Sequence, residues 1–151
     1  MGQLKVELLL PVKREEVFPF FADAGNLSVI TPDWLSFSVL TPRPIEMREG
    51  ARIEYRLKLR GIPIGWESEI TAWEPPHRFV DEQIRGPYRR WRHEHVFEGR
   101  GDQTLVIDQV EYEAPCAWLL ERPLVRPDVE RIFAFRQRKL LEIFAPHRPD
   151  R

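Results

Sequence analysis

The stretch Trp91-Arg92-His93-Glu94-His95-Val96-Phe97 decides how this chain folds. Side chains alternate across a strand, so Trp91, His93, His95 and Phe97 share one face. Arg92, Glu94, Val96 and Glu98 share the other, which is mostly charged and reads as solvated. A strand with one wet face belongs to an antiparallel sheet with a single core side. Two histidines between a Trp and a Phe on that core side need hydrogen-bond partners or a ligand, because a polar group buried unpaired is costly.

The same alternation extends along the chain. Arg52 to Arg60 alternates charged and apolar residues without a fault, with Ile53, Tyr55, Leu57 and Leu59 inward. In Ile64 to Glu74 the shared face is Ile64, Trp66, Ser68, Ile70 and Ala72. Residues 3–10, Trp34 to Thr41, Arg78 to Ile84, Tyr88 to Glu98 and Thr104 to Glu113 complete a set of strands. Gly61-Ile62-Pro63, Pro75-Pro76, Gly86-Pro87 and Gly99-Arg100-Gly101-Asp102 read as turns between them. Lys13 to Asp23 reads as a helix, kinked or short because Pro19 removes a backbone donor. Leu27 to Thr31 makes a second short turn. Pro127 to Ala145 is the one long helix, with Pro127 in its first turn and Asp128 at the positive end of its dipole. Val129, Ile132, Phe133, Arg136, Leu140, Ile143 and Phe144 form its stripe. The expected fold is α+β: a seven-stranded curved antiparallel sheet around a long C-terminal helix, with two short helices between strands 1 and 2. A twisted sheet curled around one helix leaves space between them.

The whole chain sets further bounds. A length of 151 residues fits one domain, 1–151. A net charge of -1 gives no global attraction to nucleic acid or anionic membrane. The run Arg85, Arg89, Arg90 and Arg92 carries interleaved Tyr88 and Trp91, but Glu82, Glu94 and Glu98 lie close, so a solvated hairpin and no nucleic-acid partner are expected. Cys116 is the only cysteine, which rules out an intrachain disulfide and a thiolate cluster. Charges at Lys5, Glu7 and Lys13 interrupt any signal-peptide core, and Val6 stands where a myristoylation motif needs Ser or Thr. No apolar run approaches the ~20 residues of a membrane span. A soluble cytoplasmic domain is expected. Nucleophile elbow, phosphate loop and dinucleotide fingerprint are all missing from the sequence.

The order of elements resembles the START/Bet v 1-like superfamily, the helix-grip ligand-binding domains. More narrowly, it resembles the bacterial polyketide cyclase/dehydrase and lipid-transport branch. The residues carrying the resemblance begin with Pro11-Val12-Lys13-Arg14-Glu15-Glu16-Val17-Phe18, Asn26-Leu27 and Thr31-Pro32. They continue with Gly86-Pro87-Tyr88, Trp91, His93, His95 and Phe97, then Asp108, Val110 and Tyr112, and finally Phe133 and Arg136. The resemblance implies that a lipid, quinone or polyketide-like molecule binds between sheet and helix. It also implies that a minority of such domains are enzymes.

Placing Phe79 inward carries Asp81 and Gln83 with it. The face of strand 7 with Val106, Val110 and Tyr112 carries Asp108, although Leu105 and Ile107 on the other face compete for the core. The candidate polar cluster is therefore Tyr55, Asp81, Gln83, His93, His95, Asp108 and Arg136. Ile53, Leu57, Trp66, Trp91 and Phe133 are the candidate apolar wall. Three readings of the cluster stand open. It is a structural network in which an inward Arg136 meets a carboxylate; or it is the polar wall of a roughly several-hundred-Å³ enclosed pocket; or it is acid–base machinery. In the last, His93, His95 and Asp108 are the catalytic candidates, with Tyr55 or Arg136 stabilising an enolate. His93, His95 and Asp108 also offer metal ligands, but an i, i+2 pair is unspecific, and His77 and His147 sit beside prolines. No metal and no cofactor are expected. Residues 113–125, with Trp118-Leu119-Leu120, read as a lid, a membrane-touching patch or a packed connector; Trp34 and Leu35 read as the opposite lip. The oligomeric state is not legible.

Overall fold

Alternating faces and one helical stripe organise the chain into a single sheet gripping a helix. The computed structural model describes residues 2–59, 61–114 and 125–145. Among them the strands are β1 (Gly2–Leu10), β2 (Ser38–Val39), β3 (Arg52–Leu59), β4 (Ile62–Glu74), β5 (Arg78–Arg85), β6 (Arg90–Arg100) and β7 (Gln103–Glu113). They lie in the order β1-β7-β6-β5-β4-β3-β2, every pairing antiparallel. After β1 the chain crosses to the far edge of the sheet through helix α1 (Arg14–Ala22) and two 3-10 turns, Ala24–Ser28 and Asp33–Leu35. From β3 onward neighbouring strands follow one another in sequence. The long helix α2 (Arg126–Phe144) closes the open side.

The β1–β7 ladder runs unbroken from Gly2 opposite Tyr112 to Leu10 opposite Thr104. It settles the ambiguous face of β7: Thr104, Val106, Asp108, Val110 and Tyr112 are buried. Gly2 is buried against Tyr112, and a Cβ there would overlap the Tyr112 ring. That close approach is a packing reason for glycine at the start of β1.

Helix α1 retains Pro19 within nine residues and buries Val17, Phe18 and Phe21. Phe18 meets Trp73 at 5.4 Å and Phe97 at 5.2 Å between ring centroids, and Phe21 meets Phe97 at 5.0 Å. Helix α2 buries Val129, Phe133, Arg136 and Leu140. Each fully buried apolar side chain contributes about 1.5–3 kcal/mol. Two side-chain bonds fasten α2 to the β1 backbone, Arg126 Nη1 donating to the Gln3 carbonyl at 2.6 Å and Gln137 Nε2 to that of Glu7 at 3.1 Å.

Two sequence expectations need correction. The strand expected over Trp34 to Thr41 shrinks to Ser38–Val39. Asp33–Leu35 winds instead as a 3-10 turn after Pro32, and Ser36 at φ 47° breaks the extension. Leu35 is thereby buried while Trp34 stays half exposed against Phe135 of α2. In β4, Ile64, Trp66, Ser68 and Ile70 do share a face, but the register shifts between Ile70 and Ala72. An irregularity of this kind re-aims every residue beyond it. Trp73, not Ala72, therefore packs on Phe18 and Phe79.

Candidate functional site

The inner face of β6 carries His93 and His95 with their rings stacked, centroids 3.6 Å apart. Phe79 on β5 continues the stack beyond His95 at 4.0 Å, and Phe133 of α2 stands edge-on to His93 at 5.3 Å. In the backbone register His93 lies opposite Asp81, and His95 opposite Asp108. The short hydrogen bonds are nevertheless the diagonals. His93 Nε2 is 2.7 Å from Asp108 Oδ1, and His95 Nε2 is 2.6 Å from Asp81 Oδ2. Diagonal neighbours on one sheet face are within reach of long and aromatic side chains.

Arg136 descends from α2 into this cluster. Its Nη2 lies 3.4 Å from both Asp108 Oδ1 and His95 Nδ1, and its guanidinium sits over Phe21 and Phe133. The His95 tautomer follows: Nε2–H faces the Asp81 carboxylate, while Nδ1 faces an arginine donor and must accept. Burial and the neighbouring His93 both disfavour a charged His95, outweighing Asp81, and bring its pKa down to about 4. Burial opposes ionisation of Asp108, but the Arg136 charge and the His93 hydrogen bond hold it well below the usual carboxylate range. Burial likewise opposes ionisation of Asp81. Its hydrogen bond from His95 and the charges of His95, His93 and Arg136 prevail and lower it. Burial, reinforced by Asp81, raises Tyr55 and keeps it a phenol hydrogen-bonded to Ser68. Ser68 also accepts a 3.0 Å bond from Trp66 Nε1.

Between sheet and helix lies a partly open cavity of about 150 Å³, with an adjoining lobe of about 50 Å³. This is smaller and more open than the enclosed pocket expected from sequence, because aromatic side chains fill much of the space. Tyr55, Leu57, Trp66, Asp81, Trp91, His93, His95, Phe133 and Arg136 all line the larger lobe. Ile53 lines the smaller one. Asp108 lines neither; its side chain is 4% exposed, whereas that of Asp81 is 19% exposed. Gln83 is also elsewhere. Its amide clamps the β5–β6 hairpin, donating to the Tyr88 carbonyl at 2.6 Å and accepting from the Tyr88 N–H at 3.1 Å.

Several lining residues escaped the sequence reading. Ser68 was findable, since it shares the β4 face with Trp66 and Ile70. Leu27, Ile30 and Phe37 come from segments between α1 and β2, where no periodicity marks a face, while Leu35, expected at the lip, does line the larger lobe. The Trp118-Leu119-Leu120 segment, Cys116 and His147 lie outside the described residues.

Asp81, His93 and His95 place one potential metal-ligand atom each within 4.8 Å of one another. Two features weigh against ligation. Stacked imidazoles direct their in-plane lone pairs side by side rather than toward one point. The guanidinium of Arg136 already supplies a cation at His95 and Asp108. The arrangement can hold a polar ligand group or shuttle a proton through neutral His95.

The comparisons with known proteins agree with this geometry. The family described as polyketide cyclase/dehydrase and lipid transport matches residues 10–139. No curated protein gives a significant match. Among solved structures, protein CV1439 from Chromobacterium violaceum aligns with a TM-score of 0.76 at 13% identity, covering 97% of this chain and 100% of that one. Major latex-like protein 151 from Panax ginseng aligns with a TM-score of 0.70 at 14% identity, covering 96% and 98%. A START superfamily protein from Mycobacterium smegmatis aligns with a TM-score of 0.58 at 13% identity, covering 93% and 92%. At these identities the likeness establishes the helix-grip fold. Among the described residues no helix is long and apolar enough to cross a membrane. Family and fold are consistent with the binding of a hydrophobic ligand. With the family matched from the end of β1 into α2, and the sheet gripping its helix as in these neighbours, the chain belongs to the polyketide cyclase/dehydrase and lipid-transport family.

Proposed function

We propose that this domain binds a small hydrophobic or amphipathic molecule in the cavity between the sheet and α2. The observation that carries this reading is the composition of the wall. Leu57, Trp66, Trp91 and Phe133 offer apolar and aromatic surface, and polar groups concentrate at the Asp81–His95 end. A few convergent polar groups in an apolar cleft are the general form of a small-molecule site. A cavity of about 150 Å³ has room for a benzene-sized group. A lipid, quinone or polyketide-like occupant would therefore bury one ring or a short chain segment and extend through the open side. Native mass spectrometry of the purified protein tests this, expecting a bound mass released on denaturation. A ligand-free spectrum, together with no calorimetric response to alkylbenzenes, would remove the reading.

One observation favours a second reading, an enzyme of cyclase/dehydrase type. His95 is neutral at pH 7, is oriented by Asp81 and lines both lobes of the cavity; to take a proton from a substrate its Nδ1 would have to exchange the long 3.4 Å contact with Arg136 for the substrate. Asp108 would then act only through His93. In an assay with a carbonyl substrate, His95→Gln, which keeps an N–H for Asp81, should abolish turnover while the protein still folds. Loss of the fold in both His95→Gln and Asp108→Asn would mark the network as structural instead.

A further inference from the structure

Of the described residues that line either lobe, Arg136 is the only lysine or arginine. Its charge already faces a carboxylate: Nη2 lies 3.4 Å from Asp108 Oδ1 and from His95 Nδ1, and the guanidinium lies over Phe21 and Phe133, while Nε is buried without a hydrogen-bond partner among the described residues. Asp81 is placed differently. Its contacts with His95 and His93 fall on Oδ2, and it is the more exposed of the two cluster carboxylates, lining both lobes. Oδ1 is thus an acceptor without a donor among the described residues. A second carboxylate, Asp23, lines the smaller lobe.

The geometry points to a head-group preference: the cavity accepts a hydroxyl, phenol or ammonium donor at Asp81 Oδ1 and rejects carboxylate, sulfate and phosphate heads. This rests on the ligand-binding reading above and narrows it to a chemical class. The reason is charge balance. The cluster holds Asp81 and Asp108 against the single guanidinium of Arg136, and even a protonated His93 brings it only to neutrality. An incoming anion meets a cluster whose two carboxylates outnumber the one guanidinium among the described residues, and like charges brought together in a partly buried site repel. A donor instead completes an acceptor that the described residues leave unpaired.

The test is isothermal calorimetry near pH 7 with para-propylphenol, para-propylbenzylammonium, para-propylbenzoate and propylbenzene. The hydrocarbon reports the cavity alone. The expected result is binding of the phenol and the ammonium about tenfold or more tighter than the benzoate. In Asp81→Asn the gap should narrow to about threefold, chiefly because the benzoate gains. A benzoate that binds wild-type protein as tightly as the phenol overturns the preference while leaving the cavity reading in place. Failure of all the compounds, propylbenzene included, overturns the ligand-binding reading itself. The wild-type series decides even if Asp81→Asn does not fold.

Discussion

Acidification from neutral pH to about 4 should destabilise this protein through the His95 imidazole before the buried carboxylates Asp81 and Asp108, both held below the usual range, are protonated. His95 is buried, and its pKa falls from 6.5 to about 4 in the folded chain. Between those values the unfolded chain binds a proton that the folded chain refuses. Stability is therefore lost as pH falls through this window and is fully present above it. Each pH unit across which the two states differ by one proton is worth about 1.4 kcal/mol, so the window amounts to about 3 kcal/mol, of which about 2 kcal/mol is lost by pH 5. The assay is urea denaturation followed by tryptophan fluorescence at a series of pH values, for wild type and for His95→Gln. Glutamine retains an N–H for Asp81 and does not titrate. The expected outcome is a wild-type stability that falls across the window and a variant whose slope is flatter by that amount. A wild-type stability that is level from pH 7 to pH 5, or an unchanged slope in His95→Gln, would refute the assignment of a neutral, desolvated imidazole.

Other perturbations probe separate links. Arg136→Met strips the cluster of its guanidinium and leaves Asp108, 3% exposed, without that partner; urea titration should show a loss of about 3–5 kcal/mol, and a loss within noise would mean that the helix is not held by this network. Gln83→Ala removes both bonds to the Tyr88 backbone and should cost about 1–2 kcal/mol while leaving ligand affinity unchanged, since the side chain faces the hairpin rather than the cavity. Leu57→Trp projects extra volume into the larger lobe; it should weaken alkylbenzene binding by about tenfold or more with a melting temperature near that of wild type, and retained binding would place the ligand elsewhere. Below about pH 4 a second loss should appear as Asp81 and Asp108 are protonated, because folded-state pKa values held below the unfolded ones stabilise the fold only above that range.

Much of the site was legible because alternation assigns faces. His93 and His95 had to share a face with Trp91 and Phe97, and Arg136 had to lie on the buried stripe of α2 between Phe133 and Leu140. All of them are where their periodicities put them. Gln83 obeyed the same alternation, yet its amide found the Tyr88 backbone nearer than the cavity. Asp108 also points inward but lies behind the histidines, outside the lining of either lobe. Sharing a face does not specify depth along it.

By itself, then, the sequence determined which residues turn toward the core: a period of two in β3, β6 and β7, and a stripe at three- and four-residue offsets in α2. Those are properties of backbone geometry, and they need no neighbour to hold. Only the tertiary structure decided who meets whom. It set the diagonal pairing of His93 with Asp108 and of His95 with Asp81, the re-aiming of Trp73 beyond the irregularity in β4, and the cavity of about 150 Å³. Each depends on register, bulge and packing between segments far apart in the chain, where differences of an ångström decide which carboxylate an imidazole reaches.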